Sequence, residues 1–302
     1  MYQSHVIDRW YSGRETTISL HSMNLIVQGE EVSTPDLKAL HAIARGRAIE
    51  RIADNAFRIT QAQASSRDAV AAHCSEAKLD WAFVAENARL ADFRLLAMDM
   101  DSTLICIECI DEIADFAGRK AEVAAVTAAA MRGEIDWPES LRRRVRALEG
   151  LPESTLERVY DERLRFNPGA ERLIAAARKA GVKTLLVSGG FTYFTDRVRE
   201  QLQLDYAYSN VLVVEAGALK GTTTGALVDA RGKAGHVARL KGELGIERSQ
   251  VLAIGDGAND LPMMAEAGTS IAYHAKPVVK KKATHALDHV GLDGVLNLFP
   301  ET

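Results

Sequence analysis

The sequence predicts an α/β protein: a doubly wound parallel sheet core with a helical cap insertion, plus a small N-terminal α+β domain. Three observations lead there. "RLLAMDM", "VKTLLVSGG" and "SQVLAIGDG" are short apolar runs that give out at Asp, Ser or Gly, and helical stretches separate them, as expected for buried parallel strands. Between the first two runs lie roughly 70 residues of helical pattern, far more than the single helix of a right-handed crossover. Ahead of the first run, shorter strand-like and helical segments form a unit of their own.

The elements follow in order. Residues 1–22 read as an extension or tail, because they lack the apolar core of a secretory signal and "MNLIVQG" from Met23 has the look of a strand and of a start. Residues 23–87 form the small α+β domain. In it "STPDLKALHAIARG" carries a helix N-cap, a first-turn Pro and a closing Gly46. "AIERIADNAFRIT" alternates as a strand would, "SSRDAVAAHCSEA" is a second helix and "LDWAFV" a short strand. His41 and His73 stand singly on these helices and read as ordinary solvated or packed histidines.

Residues 88–302 form the second domain. Its cap, at about 106–166, contains "KAEVAAVTAAAMRG", "WPESLRRRVRALEG" and "PESTLERVYDERL". A second insertion, "YAYSNVLVVEAGALKGTTTGALVD", reads as a hairpin flap broken at Gly217 and Gly221. "KPVVKKKATHALDH" places His285 and His289 at helical spacing and reads as a charged surface helix. Cys106 and Cys109 form a lone C-x-x-C, which reads as two packed thiols on a helix. With Cys74 they make three cysteines, too few for a disulfide scaffold and suited to a reducing compartment such as the cytoplasm.

Composition excludes other classes. The chain has 302 residues, 47% hydrophobic and 26% charged, with a formal net charge of -4. That balance excludes nucleic acid held by bulk electrostatics, and no apolar run reaches the roughly 18 residues of a membrane span.

In α/β sheets ligands bind beyond the carboxyl ends of the strands, and the chemically suggestive clusters fall there. In "DMDST", Asp99 and Asp101 are spaced by two, so both side chains point the same way. One carboxylate can attack phosphorus while the other protonates the leaving oxygen and later takes a proton from water. The rival reading is a turn or helix cap rich in Asp and Ser. In "VSGGF", Ser188 offers a hydroxyl, and Gly189 and Gly190 let backbone amides approach an anion. "IGDGAND" supplies Asp256, Asn259 and Asp260, with a plain turn as the rival. Mg²⁺ takes oxygen ligands, so Asp99 and Asp256 are candidates to share it. Lys233 opens a helix shortly before the third run.

The four signals in this order resemble the haloacid dehalogenase superfamily of phosphohydrolases, over roughly Leu95 to the C-terminus. The wording "DMDSTLICIECIDEIA", "VSGGF" and "GDGANDLPM" is similar to members acting on a phosphorylated amino acid. That resemblance implies Asp99 as nucleophile and Asp101 as general acid/base. It implies Mg²⁺ on Asp99, Asp256 and the backbone carbonyl of Asp101. Ser188, Gly189 and Lys233 would hold the phosphoryl oxygens, Asn259 the phosphate side of the site, and Asp260 would orient Lys233 or support the metal. Glu108 would meet the substrate's ammonium and Arg144 its carboxylate. Trp137 stands where the family usually has Phe. The expected partner is thus a small phosphorylated amino acid, and a homodimer is the assembly considered. The rivals are a phosphatase or phosphotransferase for another small ester, and a regulatory protein that senses an amino acid.

Overall fold

The computed structural model describes residues 23–300. The expected tail at 1–22 lies outside the described residues. The N-terminal unit runs β1 (Met23–Gln28), α1 (Thr34–Ala44), β2 (Ala48–Ala53), β3 (Ala56–Ala62), α2 (Arg67–Ala77) and β4 (Asp80–Ala85). Its four strands form an antiparallel sheet in the order β2-β3-β1-β4. Strand alternation gives this sheet two apolar faces. Leu25, Val27, Ile59 and Phe83 pack with Leu40 of α1 and Val70 of α2. Ile26, Ala82 and Val84 face the other way and join the main core.

Two readings in this unit change. "AIERIADNAFRIT" is a hairpin, not one strand: β2 and β3 turn at Asp54-Asn55, a pair suited to turns, and Arg51 braces the turn through Ala53 O and Asp54. Helix α1 closes on Arg45, in the left-handed region at φ 49°, one residue ahead of Gly46.

The second sheet opens with β5 (Leu95–Met98). Four helices follow: α3 (Cys109–Phe116), α4 (Lys120–Met131), α5 (Trp137–Arg146) and α6 (Ser154–Glu162). A bridge between Ile105 and Phe166 ties together the strands of chain that enter and leave this helical excursion. The chain continues through α7 (Ala170–Lys179), β6 (Lys183–Phe191), α8 (Thr192–Leu202), β7 (Tyr206–Glu215), β8 (Ala218–Thr224), α9 (Ala230–Leu244), β9 (Val251–Gly255), α10 (Leu261–Ala265), β10 (Thr269–Tyr273), α11 (Pro277–Lys280), β11 (His285–Leu287) and α12 (Val295–Leu298).

The strand order is β11-β10-β9-β5-β6-β7-β8. Every neighbouring pair is parallel except β7–β8. The central strands are apolar on both sides, as a doubly covered sheet requires. Leu96, Met98, Leu186 and Ile254 belong to one core, and Leu95, Ala97, Val187 and Ala253 to the other. The expected flap is partly sheet: β7 pairs in parallel with β6 before turning back into β8. The turn falls at Ala216 and Gly217, and Gly221 lies inside β8 rather than breaking it.

The basic run "KPVVKKKATHALDH" is not a surface helix. Helix α11 covers only Pro277–Lys280, and His285 begins β11, paired with β10 and buried. Pairing with a strand already in place overrides the local helical spacing. The C-x-x-C also differs: Cys106 is exposed ahead of α3, while Cys109 is buried at its start. Among the described residues no helix is long and apolar enough to cross a membrane.

The two sheets are joined through the end of the chain. The Asp80 carboxylate accepts the backbone N–H groups of Asp288 (2.7 Å) and His289 (2.8 Å). Gln28 donates to Gly294 O and accepts from Asn297. Leu90 N donates to Pro300 O, and Phe93 meets Phe299 edge to face.

His285 makes this junction acid-sensitive. Burial, with Arg67 nearby, pushes its imidazole down to about 4 from an ordinary 6.5. The unfolded chain therefore takes up a proton below pH 6.5 that the folded chain refuses until pH 4, so stability falls as pH drops through that window. Between pH 7 and pH 4.5 the wild type should lose about 2–3 kcal/mol more than His285→Leu. Urea unfolding at both pH values measures this, and parallel losses would refute it.

Candidate active site

The site lies past the carboxyl ends of β5, β6 and β9. Strand β5 is fully buried, and the first residue beyond it is Asp99. The chain then turns sharply, with Ser102 in the left-handed region at φ 56°. Asn167 braces that turn by donating to Thr103 O and Ile105 O. The turn brings Asp99 and Asp101 to opposite neighbours.

Asp99 points to a lysine. Its Oδ1 accepts from Met100 N at 2.7 Å and lies 2.6 Å from Lys233 Nζ. The same ammonium donates to Asp260 Oδ1 at 2.8 Å, and Gly257 N donates to Asp260 Oδ2. All three side chains are at most 6% exposed. Burial, then the Asp260 charge, push the Asp99 carboxyl well above the usual range. Burial lowers the Lys233 pKa, but Asp260 and Asp99 outweigh it and raise it above the ordinary lysine range. Nothing among the described residues bonds Asp99 Oδ2.

Asp256 completes the acidic cluster. Its Oδ1 accepts from Thr103 Oγ1 at 3.1 Å, and burial followed by the Asp260 charge raise its pKa. Oxygens of Asp99, Asp256 and Asp260 lie within 4.8 Å of one another. Three carboxylates surround one lysine, which leaves net negative charge in a buried place. That donor set could hold a hard metal cation.

Asp101 is held differently. Oδ1 accepts from Cys109 N at 2.8 Å and Oδ2 from Ser188 Oγ at 2.9 Å. Ser188 Oγ in turn accepts from Gly190 N. A Cβ at Gly190 would lie 2.8 Å from Asp101 Oδ2, so only glycine lets the loop come this close. Asn210 carries Gly189, donating to its carbonyl and accepting from Val228 N.

The cap supplies the opposite wall. Trp137, at the start of α5, lies over Gly189: a Cβ there would sit 3.0 Å from Trp137 Cζ2. Together these residues enclose a cavity of about 310 Å³, lined by Asp99, Asp101, Glu108, Trp137, Arg144, Gly189, Lys233, Asp256 and Asn259. Glu108, just ahead of α3, accepts from Ser102 Oγ at 2.7 Å. Surrounding protein, then Asp101, push its carboxyl up to about 7; its contact with solvent at the mouth screens part of that. Arg144 points inward, and burial lowers its pKa. Its neighbours Arg142 and Arg143 both pair with Glu139 on the exposed face.

Of the residues expected from sequence, Ser188 and Asp260 stand behind the lining, fully buried and bonded to Asp101 and Lys233. Three lining residues with polar side chains were missed. Asp111 follows Glu108 by three, in the first turn of the helix that Glu108 caps, a signal that was available. Thr127 sat in an Ala-rich helix, and Lys276 in the run misread as a surface helix.

The sequence profile of the haloacid dehalogenase-like hydrolases matches residues 96–265, and one described as a domain of unknown function matches residues 25–70. A phosphoserine phosphatase of Polaromonas sp. is 56% identical over 217 residues, 70% of this chain and 92% of that protein. A crystal structure of a probable phosphoserine phosphatase from Vibrio cholerae superposes with a TM-score of 0.79 at 37% identity, covering 92% of this chain and 86% of that one. A phospho-aspartyl intermediate analogue of phosphoserine phosphatase gives a TM-score of 0.64 at 37% identity, over 68% of this chain and 99% of that one.

Lys233 is the test of the charge cluster. Lys233→Met leaves two buried carboxylates without their cation and should destabilise the fold by about 3–5 kcal/mol. Urea unfolding at pH 7 measures this; a loss below about 1 kcal/mol would mean the cluster is not held by the lysine.

Proposed function

The chain belongs to the haloacid dehalogenase-like hydrolases, and we propose that it hydrolyses O-phospho-L-serine to L-serine and phosphate, the last step of serine biosynthesis, in the cytoplasm. One observation carries this reading. A single cavity holds Asp99 and Lys233 at its floor and Glu108 and Arg144 on its cap side. The floor suits a phosphoryl group, and the cap side offers an anion for an ammonium and a guanidinium for a carboxylate. The phosphoserine phosphatases it resembles support the same substrate.

In this reading Asp99 attacks phosphorus through Oδ2, since Oδ1 is committed to Lys233 and Met100 N. The P–O bond to serine breaks, Asp101 gives its proton to the departing serine oxygen, and an aspartyl-phosphate forms on Asp99. Asp101, now ionised, takes a proton from water, which attacks phosphorus and frees phosphate. Mg²⁺ held by Asp99, Asp256 and the Asp101 carbonyl would supply charge that offsets repulsion between the carboxylate and the phosphate dianion. Lys233, Gly189, Asn259 and Ser188 hold the phosphoryl oxygens. The Ser188 hydroxyl has a single proton, which it gives to Asp101 in the described state. Protonation of Asp101 releases that hydroxyl to turn toward the phosphoryl group, so leaving-group acid and phosphate ligand are set together. Positioning and electrostatics carry most of such a transfer.

Phosphate release from phosphoserine and phosphoethanolamine, with and without Mg²⁺, tests this reading. Wild type should prefer phosphoserine and need the metal. Asp99→Asn should abolish turnover with the fold intact; near wild-type rates would eliminate the covalent route. Phosphoethanolamine lacks the carboxylate and leaves Arg144 unpaired. Arg144→Ala should therefore cost phosphoserine about 2–5 kcal/mol in kcat/KM and phosphoethanolamine much less. Glu108→Gln should impair both, because both carry the ammonium. An unchanged ratio in Arg144→Ala would remove the carboxylate contact from the reading.

A further inference from the structure

We propose that Asp111 is the positioning residue for Arg144: it faces the Nε edge of the guanidinium, aims the other two nitrogens at the substrate's carboxylate, and so tunes selectivity without touching the phosphoryl group. The inference rests on the phosphoserine reading and concerns a residue outside the expected set.

The cap holds two orphaned polar atoms of complementary kind. Asp111 Oδ1 and Arg144 Nε are each buried, and neither has a hydrogen-bond partner. Buried orphans are rare in folded proteins. One is an acceptor on α3 and the other a donor on α5, and both residues line the same cavity. Each is also the strongest attractive charge on the other. Asp111 leads Glu108 and Asp101 at Arg144, and Arg144 leads Lys120 at Asp111.

Neither has a competing ion pair within the described residues. Lys120 pairs with Asp115, and Glu112 on the same helix pairs with Arg163. Arg142 and Arg143 are spent on Glu139. A hydrogen bond from Nε to Oδ1 would satisfy both orphaned atoms. A guanidinium held by that edge presents its two Nη nitrogens as a fork, the geometry that grips a carboxylate with two parallel bonds.

Asp111 does a second thing by being first in line. The next charges acting on Arg144 are Glu108 and Asp101, the carboxylates assigned to the ammonium and to proton transfer. Without Asp111 the guanidinium is drawn to one of those, which mispairs two working groups at once. Glu108 is the N-cap of α3 and Asp111 lies in its first turn, so one short stretch of chain serves both ends of the zwitterion.

Asp111→Asn keeps the shape and removes the charge. It should lower kcat/KM for phosphoserine by about tenfold, mainly through KM, and change phosphoethanolamine far less. Asp111→Glu keeps the charge and should retain most of the preference; this variant also settles the matter should the amide fold poorly. In an Arg144→Ala background, Asp111→Asn should add almost nothing, because its effect runs through the guanidinium. Equal losses on both esters, or full additivity with Arg144→Ala, would make Asp111 a plain packing residue and overturn the inference. A wild type with no preference for phosphoserine would overturn the substrate reading and this inference with it. A wild-type preference untouched by Asp111→Asn overturns the inference alone.

Discussion

The Lys233 ammonium, buried between Asp99 and Asp260, is the contact on which the rest of the site depends. No other cation reaches either carboxylate within ion-pair distance among the described residues. Two carboxylates this deep cannot both ionise unless something neutralises them. The lysine arrives from α9, Asp99 from the end of β5, and Asp260 from the turn after β9. One charge therefore fixes how three separate elements meet. It also selects which oxygen of Asp99 is occupied, leaving Oδ2 without a partner among the described residues.

Around that fixed centre the loops differ in how they are constrained. Backbone donors hold the floor: Met100 N, Cys109 N, Gly190 N and Gly257 N each end on a side-chain oxygen of the cluster. Such donors cost little reorganisation, which suits a step that depends on positioning. The cap wall is built from side chains instead, with Trp137 over Gly189 and with Asp111 and Arg144 unbonded. In the proposed reading the preorganised half would face the phosphoryl group, which every substrate of this chemistry shares. The adaptable half would then face the part of the substrate that distinguishes one ester from another.

Much of this was legible in the sequence, and the gaps have physical causes. The three strands could be read because a doubly covered strand is apolar at every position, as Leu95–Met98 is. Asp99 and Asp101 could be read because ionisable groups directly after such a strand are costly. Lys233 could not be singled out from local pattern, since a lysine opening a helix is ordinarily solvated; family resemblance alone selected it. Asp111 was missed because the cavity it lines is closed by Arg144 from another helix, a juxtaposition that its own local sequence does not display. The segment 276–289 was misread because β11 exists only through pairing with β10, a contact no local window contains. The β2–β3 hairpin was merged into one strand because Asp54-Asn55 is a short interruption in continuous alternation.

The ties between the N-terminal sheet and residues 288–300 bear on how the chain comes to be folded. Asp80 and Gln28 are completed by backbone and side-chain groups more than 200 positions away. During synthesis the N-terminal sheet emerges first, with Ile26, Ala82 and Val84 unburied and the Asp80 carboxylate unbonded, while the whole α/β core is still to be made. Its apolar outer face stays open to water for most of translation, at a typical 5–20 residues per second. The last strand and helix close it. This gives the molecule contacts of very long sequence separation, which slow folding, and makes residues 285–300 the clasp for the unit at 23–85.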